Sequence, residues 1–535
     1  MTNLNQDEID TLIEPIPNFN DIQGLILRGY NFPYIRYIVF KINDREGAQY
    51  FCKKLLPGSN GLLNVTTAAS WKPGYKPDYC LNIGFTAQGL KILIDKDPQK
   101  PVNFNRVSGD SFEFFNSFKP GAVKRADILG DIGNSAPDLW WQRSEGWLNR
   151  EVPPLADGSD LHIQISIFAH NGQSLESYYQ NLLTMIPAGT HGPAVTAVFF
   201  KDSEPLPKGD DYIHFGYKDS FSQPRLNTVP WNIKDERLLS GKGGIDDREI
   251  VPTDQFVINI KKYPKEGSPT IFAPHPLLEN GSFAAFRLLY QDVKAFNKFI
   301  NKVPEGGKPE DANPELVAAK MCGRWFDGTP LVVSPHKPNP NLKDFDFTNF
   351  NYIEATPNQK GDGDNDDLGR LCPYAAHIRR TNPRDDTKVV GNKDDEGKPN
   401  YAKGRRIMRR AGPYGPDYVE NEPEGIQRGL VGLFICANLT DQFVFIMKMW
   451  INRGGFRPGY DSPNASGVDP LFGPAKETDS TDFYFLPEDE TDKNYQKMTG
   501  LERFIRTDGS LLLFLPGIKA LEDISNGIIP TTPQS

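Results

Sequence analysis

The chain carries seven histidines, at His162, His170, His191, His214, His275, His336 and His377, and no two stand four residues apart. Its five cysteines, Cys52, Cys80, Cys322, Cys372 and Cys436, never form a CxxC pair. These spacings argue against a mononuclear zinc site. No GxSxG elbow, P-loop or dinucleotide-binding glycine fingerprint occurs, and the Gly241–Gly244 cluster reads as a turn. The acidic run Asp362–Asp367 has the look of a calcium loop. It lacks glycine at the sixth position and has Pro373 where the bidentate glutamate belongs, so a solvated acidic loop is the better reading. His377 stands out by its company. Arg379, Arg380 and Arg384 follow it closely, and Arg405, Arg406, Arg409 and Arg410 lie a little further on. A histidine beside several arginines suits a metal-bearing ligand with carboxylates of its own. The plain alternative is a basic surface that balances the acidic loops on either side.

The strings around these residues decide between the two. Leu371-Cys372-Pro373-Tyr374-Ala375-Ala376-His377-Ile378-Arg379-Arg380-Thr381-Asn382-Pro383-Arg384 resembles the axial-histidine segment of the dye-decolorizing peroxidases, a family of haem enzymes. Phe215-Gly216-Tyr217-Lys218-Asp219-Ser220-Phe221-Ser222-Gln223-Pro224 is similar to the family's GxxDG element. The segment from Arg405 to Gly415 is similar to the one bearing the distal arginine, and Gly467–Gly473 to the one whose acid holds the axial histidine. Weaker similarity runs through Asp21–Tyr30, Leu81–Leu90 and Gly323–Pro335. The match covers roughly Asp21 to Leu515, with four motifs in the right order.

The resemblance implies haem b, one per chain, with His377 on the iron, Asp469 on the other imidazole nitrogen, and Arg384 on a propionate. Asp219 and Arg409 would be the distal acid–base and charge-stabilising groups, and Phe434 would line the distal pocket. Hydrogen peroxide would be reduced there, and small organic donors such as bulky dyes and phenols oxidised by one-electron steps. Tyr414, five residues after Arg409 in a loop, is the best candidate to relay electrons to a bulky donor. Trp325 and Trp450 are possible relays or plain core residues. A carboxylate as proton carrier predicts activity favouring acidic pH, since an aspartate stays ionised well below a histidine. Two departures stand out. Ser220 replaces the motif glycine, and the segment between His377 and Arg409 is longer than usual for the family. Ser220 keeps open a second reading, a haem-binding protein with weak peroxidase activity used for storage, sensing or redox protection. A haem-free structural member is a third.

Several elements must position these residues. Tyr34–Ile42 is aromatic and β-branched, and Ala48, Phe51 and Leu55 then fall on helical spacing. Leu161–Ala169 alternates apolar and polar residues and predicts a half-buried strand, with a helix starting near Ser174. Phe283–Tyr290 predicts a strand, followed by an amphipathic helix through Val293, Phe296, Phe299, Ile300 and Val303. Gly432–Ala437 predicts a fourth strand, and Thr440 could cap the helix carrying Phe443, Ile446, Met447 and Trp450. One strand feeding one helix, repeated in both halves, points to an α+β protein. The expectation is two ferredoxin-like lobes with antiparallel sheets, the choice of topology resting partly on the resemblance. The division runs 1–20 as a tail, 21–235 as a lobe carrying Asp219, and 236–535 as a lobe carrying His377 and Arg409. Haem would sit in the second lobe, facing the first.

The bulk properties bound the rest. At 535 residues the chain can bury at least two cores, or one large bilobed body. A net charge of −9 argues against a nucleic-acid-binding surface. No run of about 18 apolar residues predicts a membrane span. The N-terminus is polar and acidic, unlike a secretory signal, and the scattered cysteines suit reduced thiols. Both point to the cytoplasm, although export by another route would leave the same sequence. The oligomeric state is not written in the sequence.

Overall fold

The computed structural model describes residues 18–528, apart from 95–116, 150–153, 227–249, 259–275, 310–311, 342–346, 354–365, 387–401, 457–466, 476–480, 486–495 and single positions that include Ser220. The expected boundary near residues 230–250 lies almost entirely outside the described residues, and Ser220 and most of the acidic insert do too.

Two four-stranded units share one topology. In the first, strand β1 (Tyr34–Ile42) leads through helix α1 (Arg45–Lys54) to β2 (Tyr79–Phe85), and helix α2 (Ala87–Ile94) follows. Strand β3 (Ile163–Ala169) then leads through α3 (Gly172–Thr184) to β4 (Val195–Ser203). In the second, β5 (Ser282–Gln291) leads into α4 (Val293–Ile300) and α5 (Pro314–Cys322). Helix α6 (His377–Thr381) precedes β6 (Met408–Tyr414), β7 (Gly429–Cys436) and β8 (Ile505–Leu515), and α7 (Ile518–Ser525) follows. The strand order is β6-β7-β5-β8-β2-β3-β1-β4, antiparallel throughout. Each half repeats the order second-third-first-fourth of a ferredoxin-like unit. The halves join where Phe514 of β8 pairs with Phe85 of β2.

The ends of the sheet also meet. The Glu204 N–H, just after β4, donates to Pro413 O of β6 at 3.0 Å. A Cβ on Gly412 would lie 2.2 Å from Ser203 Oγ, so the two strand ends approach closely there. The two halves face each other across an apolar filling. Tyr37 of β1 packs on Phe286 of β5, and Trp141 stacks on Phe286 and meets Phe199 edge-on.

The structure changes one expectation. Strand β3 is buried on both faces, with its polar residues Gln164 and Ser166 hydrogen-bonded to each other at 2.9 Å. The alternation is real, but the face expected to meet water is covered, with Tyr30 packed edge-on against Phe168. The helix ends follow local chemistry. Asp44 caps α1 through the Gly47 N–H, Asn171 caps α3 through Ser174, and Asp292 caps α4 through Ala295. Thr440 does not cap the segment after β7. Asn438 does, accepting from the N–H groups of Thr440 and Asp441. That segment is two π-helical runs, Thr440–Val444 and Ile446–Ile451.

Candidate active site

Helix α6 is short because of what flanks it. A turn closed by Ala376 N–H on Pro373 O starts it, and Asn382-Pro383 stops it, since the residue before proline avoids the helical region. His377 is its first residue. The His377 Nδ1–Asp469 Oδ2 distance is 2.7 Å. Asp469 is fully buried, and its other oxygen accepts from Leu471 N–H (2.9 Å) and Phe472 N–H (3.0 Å). Burial alone would push this carboxyl up. The charge and hydrogen bond of His377, with Arg380 and the Phe472 N–H, outweigh it and hold the carboxyl below the ordinary aspartate value. A buried carboxylate on Nδ1 assigns the proton to that nitrogen and leaves the Nε2 lone pair free. The histidine side chain is 31% exposed, so Nε2 has room for a ligand.

Arg379 and Arg380, beside the histidine, serve the scaffold. The Arg379 guanidinium is buried, bonded to Asp366 (2.8 Å) and Asp386 (3.3 Å), and held between the rings of Tyr352 and Tyr374. Asp366 belongs to the run expected to be a solvated acidic loop. It is 3% exposed, and it also accepts from Leu371 and Cys372 N–H groups. A buried guanidinium that needs a counter-charge draws it inside. Arg380 donates to the carbonyls of Trp450, Arg453 and Gly467, tying α6 to the π-helical segment and to the approach to Asp469.

Asp219 and Arg409 form the second pair, with Arg409 Nη1 3.3 Å from Asp219 Oδ1 and both side chains partly open. Arg409 lies on β6 directly across from Phe434 on β7, so both side chains leave the same face. The segment before Asp219 is anchored in the second unit. Tyr217 donates to Ala318 O at 2.7 Å, and Lys218 N–H to Phe326 O at 2.8 Å. One apolar cluster joins Phe215 and Tyr217, Ile378 beside His377, Val468 and Leu471 around Asp469, and Phe434. All four motifs therefore border a single region.

Arg384 donates to Phe350 O, Thr348 O and Ser222 Oγ, and its guanidinium stacks 3.9 Å above the Phe350 ring. Sequence reasoning missed two of its neighbours. Arg324 stood in the string Gly323-Arg324-Trp325 and was given no role, and Ser222 stood three residues after Asp219. Arg324 is buried and bonded to Gly328 O, Phe347 O and Ser222 Oγ. Burial, then the charge of Arg384, push its guanidinium down to about 10.

Tyr414 is not in a loop. It ends β6 and is 2% exposed, with Lys201 Nζ 4.8 Å above its ring and its carbonyl 2.9 Å from His214 Nε2. Burial pushes its phenol well above the ordinary value. Trp325 and Trp450 are buried.

The donor set fits haem. A histidine with one nitrogen fixed and its other edge partly open, an apolar flank, and the buried guanidiniums of Arg324 and Arg384 side by side are what a metalloporphyrin with two carboxylates requires. No helix among the described residues is long and apolar enough to cross a membrane.

No protein-family model matches the chain. Relatives do. A dye-decolorizing peroxidase of Mycena epipterygia is 26% identical over 476 residues, covering 87% of this chain and 77% of the relative. One from Auricularia auricula-judae is 26% identical over 515 residues, 94% of this chain and 86% of that one. Among solved structures, an ancestral D-type dye-decolorizing peroxidase superposes with a TM-score of 0.69 at 26% identity, over 96% of this chain and 100% of the other. The shared double ferredoxin-like fold, the ordered motifs and these matches agree: over nearly its whole length the chain is similar to the dye-decolorizing peroxidases.

Proposed function

We propose that this chain is a haem b-dependent peroxidase that reduces hydrogen peroxide and oxidises organic donors, bulky dyes and phenols among them, by one-electron steps. The observation that carries the reading is the pairing of His377 with Asp469 and of Arg409 with Asp219 around one apolar cluster. When bound, haem b supplies the one-electron redox chemistry that links peroxide to an organic donor.

The chain's own residues do the rest. His377 would hold the iron through Nε2, while Asp469 keeps the proton on Nδ1, fixes the ring plane and makes the imidazole a stronger donor. Arg384 would meet a propionate. Asp219 would take a proton from one peroxide oxygen and return it to the other, which leaves as water. Arg409, held by Phe221 O and Gln223, places fixed positive charge where the departing oxygen becomes negative. Phe434 would keep the distal side apolar. Tyr414 is too deep to touch a donor, so as a relay it would carry electrons through the protein interior.

His377, Asp469, Arg409 and Phe434 all come from the second unit, which supports haem seated there with Asp219 reaching over from 213–219. The division into 21–235 and 236–535 and a cytoplasmic setting are carried as part of this proposal. A second reading, a haem-binding protein with weak turnover, is favoured by Ser220 in place of the motif glycine. Purified protein should show a Soret band and should bleach an anthraquinone dye with peroxide. Haem without dye oxidation would favour the second reading, and no haem at all would sink both.

A further inference from the structure

Ser222 sits in the left-handed region, with φ +58°, where a serine is strained and glycine or asparagine is at ease. Something must hold it there, and its contacts show what. Its Oγ accepts from Arg324 Nη2 at 3.1 Å and from Arg384 Nη2 at 3.0 Å. Its carbonyl accepts from Arg406 Nη2 at 3.0 Å. Its N–H lies 3.3 Å from Thr348 Oγ1. The residue before it, Phe221, accepts from Arg409 Nη2 at 2.6 Å, and the residue after it, Gln223, brackets the Arg409 backbone with Oε1 on its N–H (3.1 Å) and Nε2 on its carbonyl (3.2 Å). Three consecutive residues thus engage four arginines from three separate parts of the chain.

The rings reinforce the arrangement. Arg324 lies 5.1 Å from the Phe221 centroid and 5.3 Å from that of Phe350, which also carries Arg384. A Cβ on Gly328 would strike the Phe221 ring at 2.2 Å, so the ring is seated without slack. Arg324 and Arg384 carry like charges, and Arg384 makes the charge of Arg324 less stable. A single neutral hydroxyl oxygen with two lone pairs is what lets two guanidiniums converge on one point.

We infer that Ser222 is a positioning residue, whose hydroxyl sets the spacing of Arg324 and Arg384 while its short segment fixes Arg409 beside Asp219. It acts through these arginines and is not itself a catalytic residue. The two sides of the site, the anion-receiving side and the peroxide side, are thereby set by one hinge two or three residues beyond Asp219. This rests on the haem-peroxidase reading, because the anion is taken to be a haem propionate.

Ser222→Gly separates the two roles of the residue, since it removes the hydroxyl and relieves the backbone. The holoenzyme variant should melt no lower than the parent, yet release haem to excess apomyoglobin about tenfold faster or more, the scale of a lost hydrogen bond to a charged group. Arg384→Lys should also speed release. The double variant should release haem far more slowly than the product of the two effects predicts, because both remove the same contact. Haem release by Ser222→Gly at the parental rate would overturn the inference. So would strict additivity, which would mean that serine and arginine act separately. A parent protein that takes up no haem would instead bring down the functional reading beneath it.

Discussion

The two halves of the sheet share a strand order and differ in what hangs between the strands. In the first, β1 passes to β2 through one helix that packs on the sheet. In the second, the same crossover from β5 to β6 holds α4, α5 and a long segment containing Arg324, Asp366, His377 and Arg384. The polar groups buried in the first half, such as Gln164 and His162, serve packing. Among those buried in the second half, Arg324 and Arg384 converge on Ser222 and Asp469 holds His377, the groups from which the proposed site is built. An identical scaffold becomes a site where its crossover is long enough to fold back with its own buried charges, and Asp219 is lent to it by the segment after β4.

Four experiments would break or sharpen that contrast. The largest effect is expected from His377→Ala. It should lose stable haem outright, because His377 is the residue whose Nδ1 is fixed by a buried carboxylate while the ring stays partly open; a variant that purifies with full haem and an unchanged imidazole-ligated spectrum would void the assignment. Next, Asp366→Ala strands the fully buried Arg379, at a cost of about 3–5 kcal/mol. Chemical denaturation should show that loss together with weaker haem retention, since Arg379 lies on α6 itself; a change under 1 kcal/mol would mean that Asp386 alone suffices.

Arg409→Leu should keep haem and slow the reaction with peroxide by about a hundred- to a thousandfold, with Asp219→Asn milder if Arg409 and water share the proton work. Stopped-flow mixing reads both, and parental rates in the two variants would remove the pair from the mechanism. The smallest effect belongs to the first half. Burial pulls the His162 imidazole below its ordinary value, its Nδ1 accepts from Ile42 N–H at 2.8 Å, and Nε2 lies 2.7 Å from Ser159 O. The neutral form is therefore favoured in the fold. Stability is full above the unfolded value of about 6.5 and is lost as pH falls through the lower folded value. Melting temperature should drop by a few degrees on acidification, and less so in His162→Gln, with haem content unchanged; equal slopes would clear His162 of any part in acid lability.

Much of this was legible in the residues. Strands β1, β5 and β7 and helices α1, α3 and α4 announce themselves by periodicity. The partnerships His377–Asp469 and Asp219–Arg409 were implied by the family strings, because each string carries its own local geometry. What escaped notice depends on contacts distant in sequence. Asp366 looked like a surface acid until Arg379 was found against it. The polar face of β3 looked solvated because nothing local tells that distant residues such as Tyr30, which packs on Phe168, cover it. Tyr414 looked like a loop residue because a PYG string reads as a turn, while its burial is set by Lys201 and the edge of β4. Ser222 gave no signal in composition. Only its positive φ and its arginine partners mark it.

The seam between the halves has a consequence for how the protein is made. Gln23 donates to Pro516 O, the N–H groups of Ile518 and Lys519 reach Asp21, and α7 packs on α1. The first unit to leave the ribosome cannot cover its own flank until residues near 520 have been synthesised, some hundreds of positions later. At about 5–20 residues per second it waits tens of seconds with apolar surface and the β2 edge uncovered.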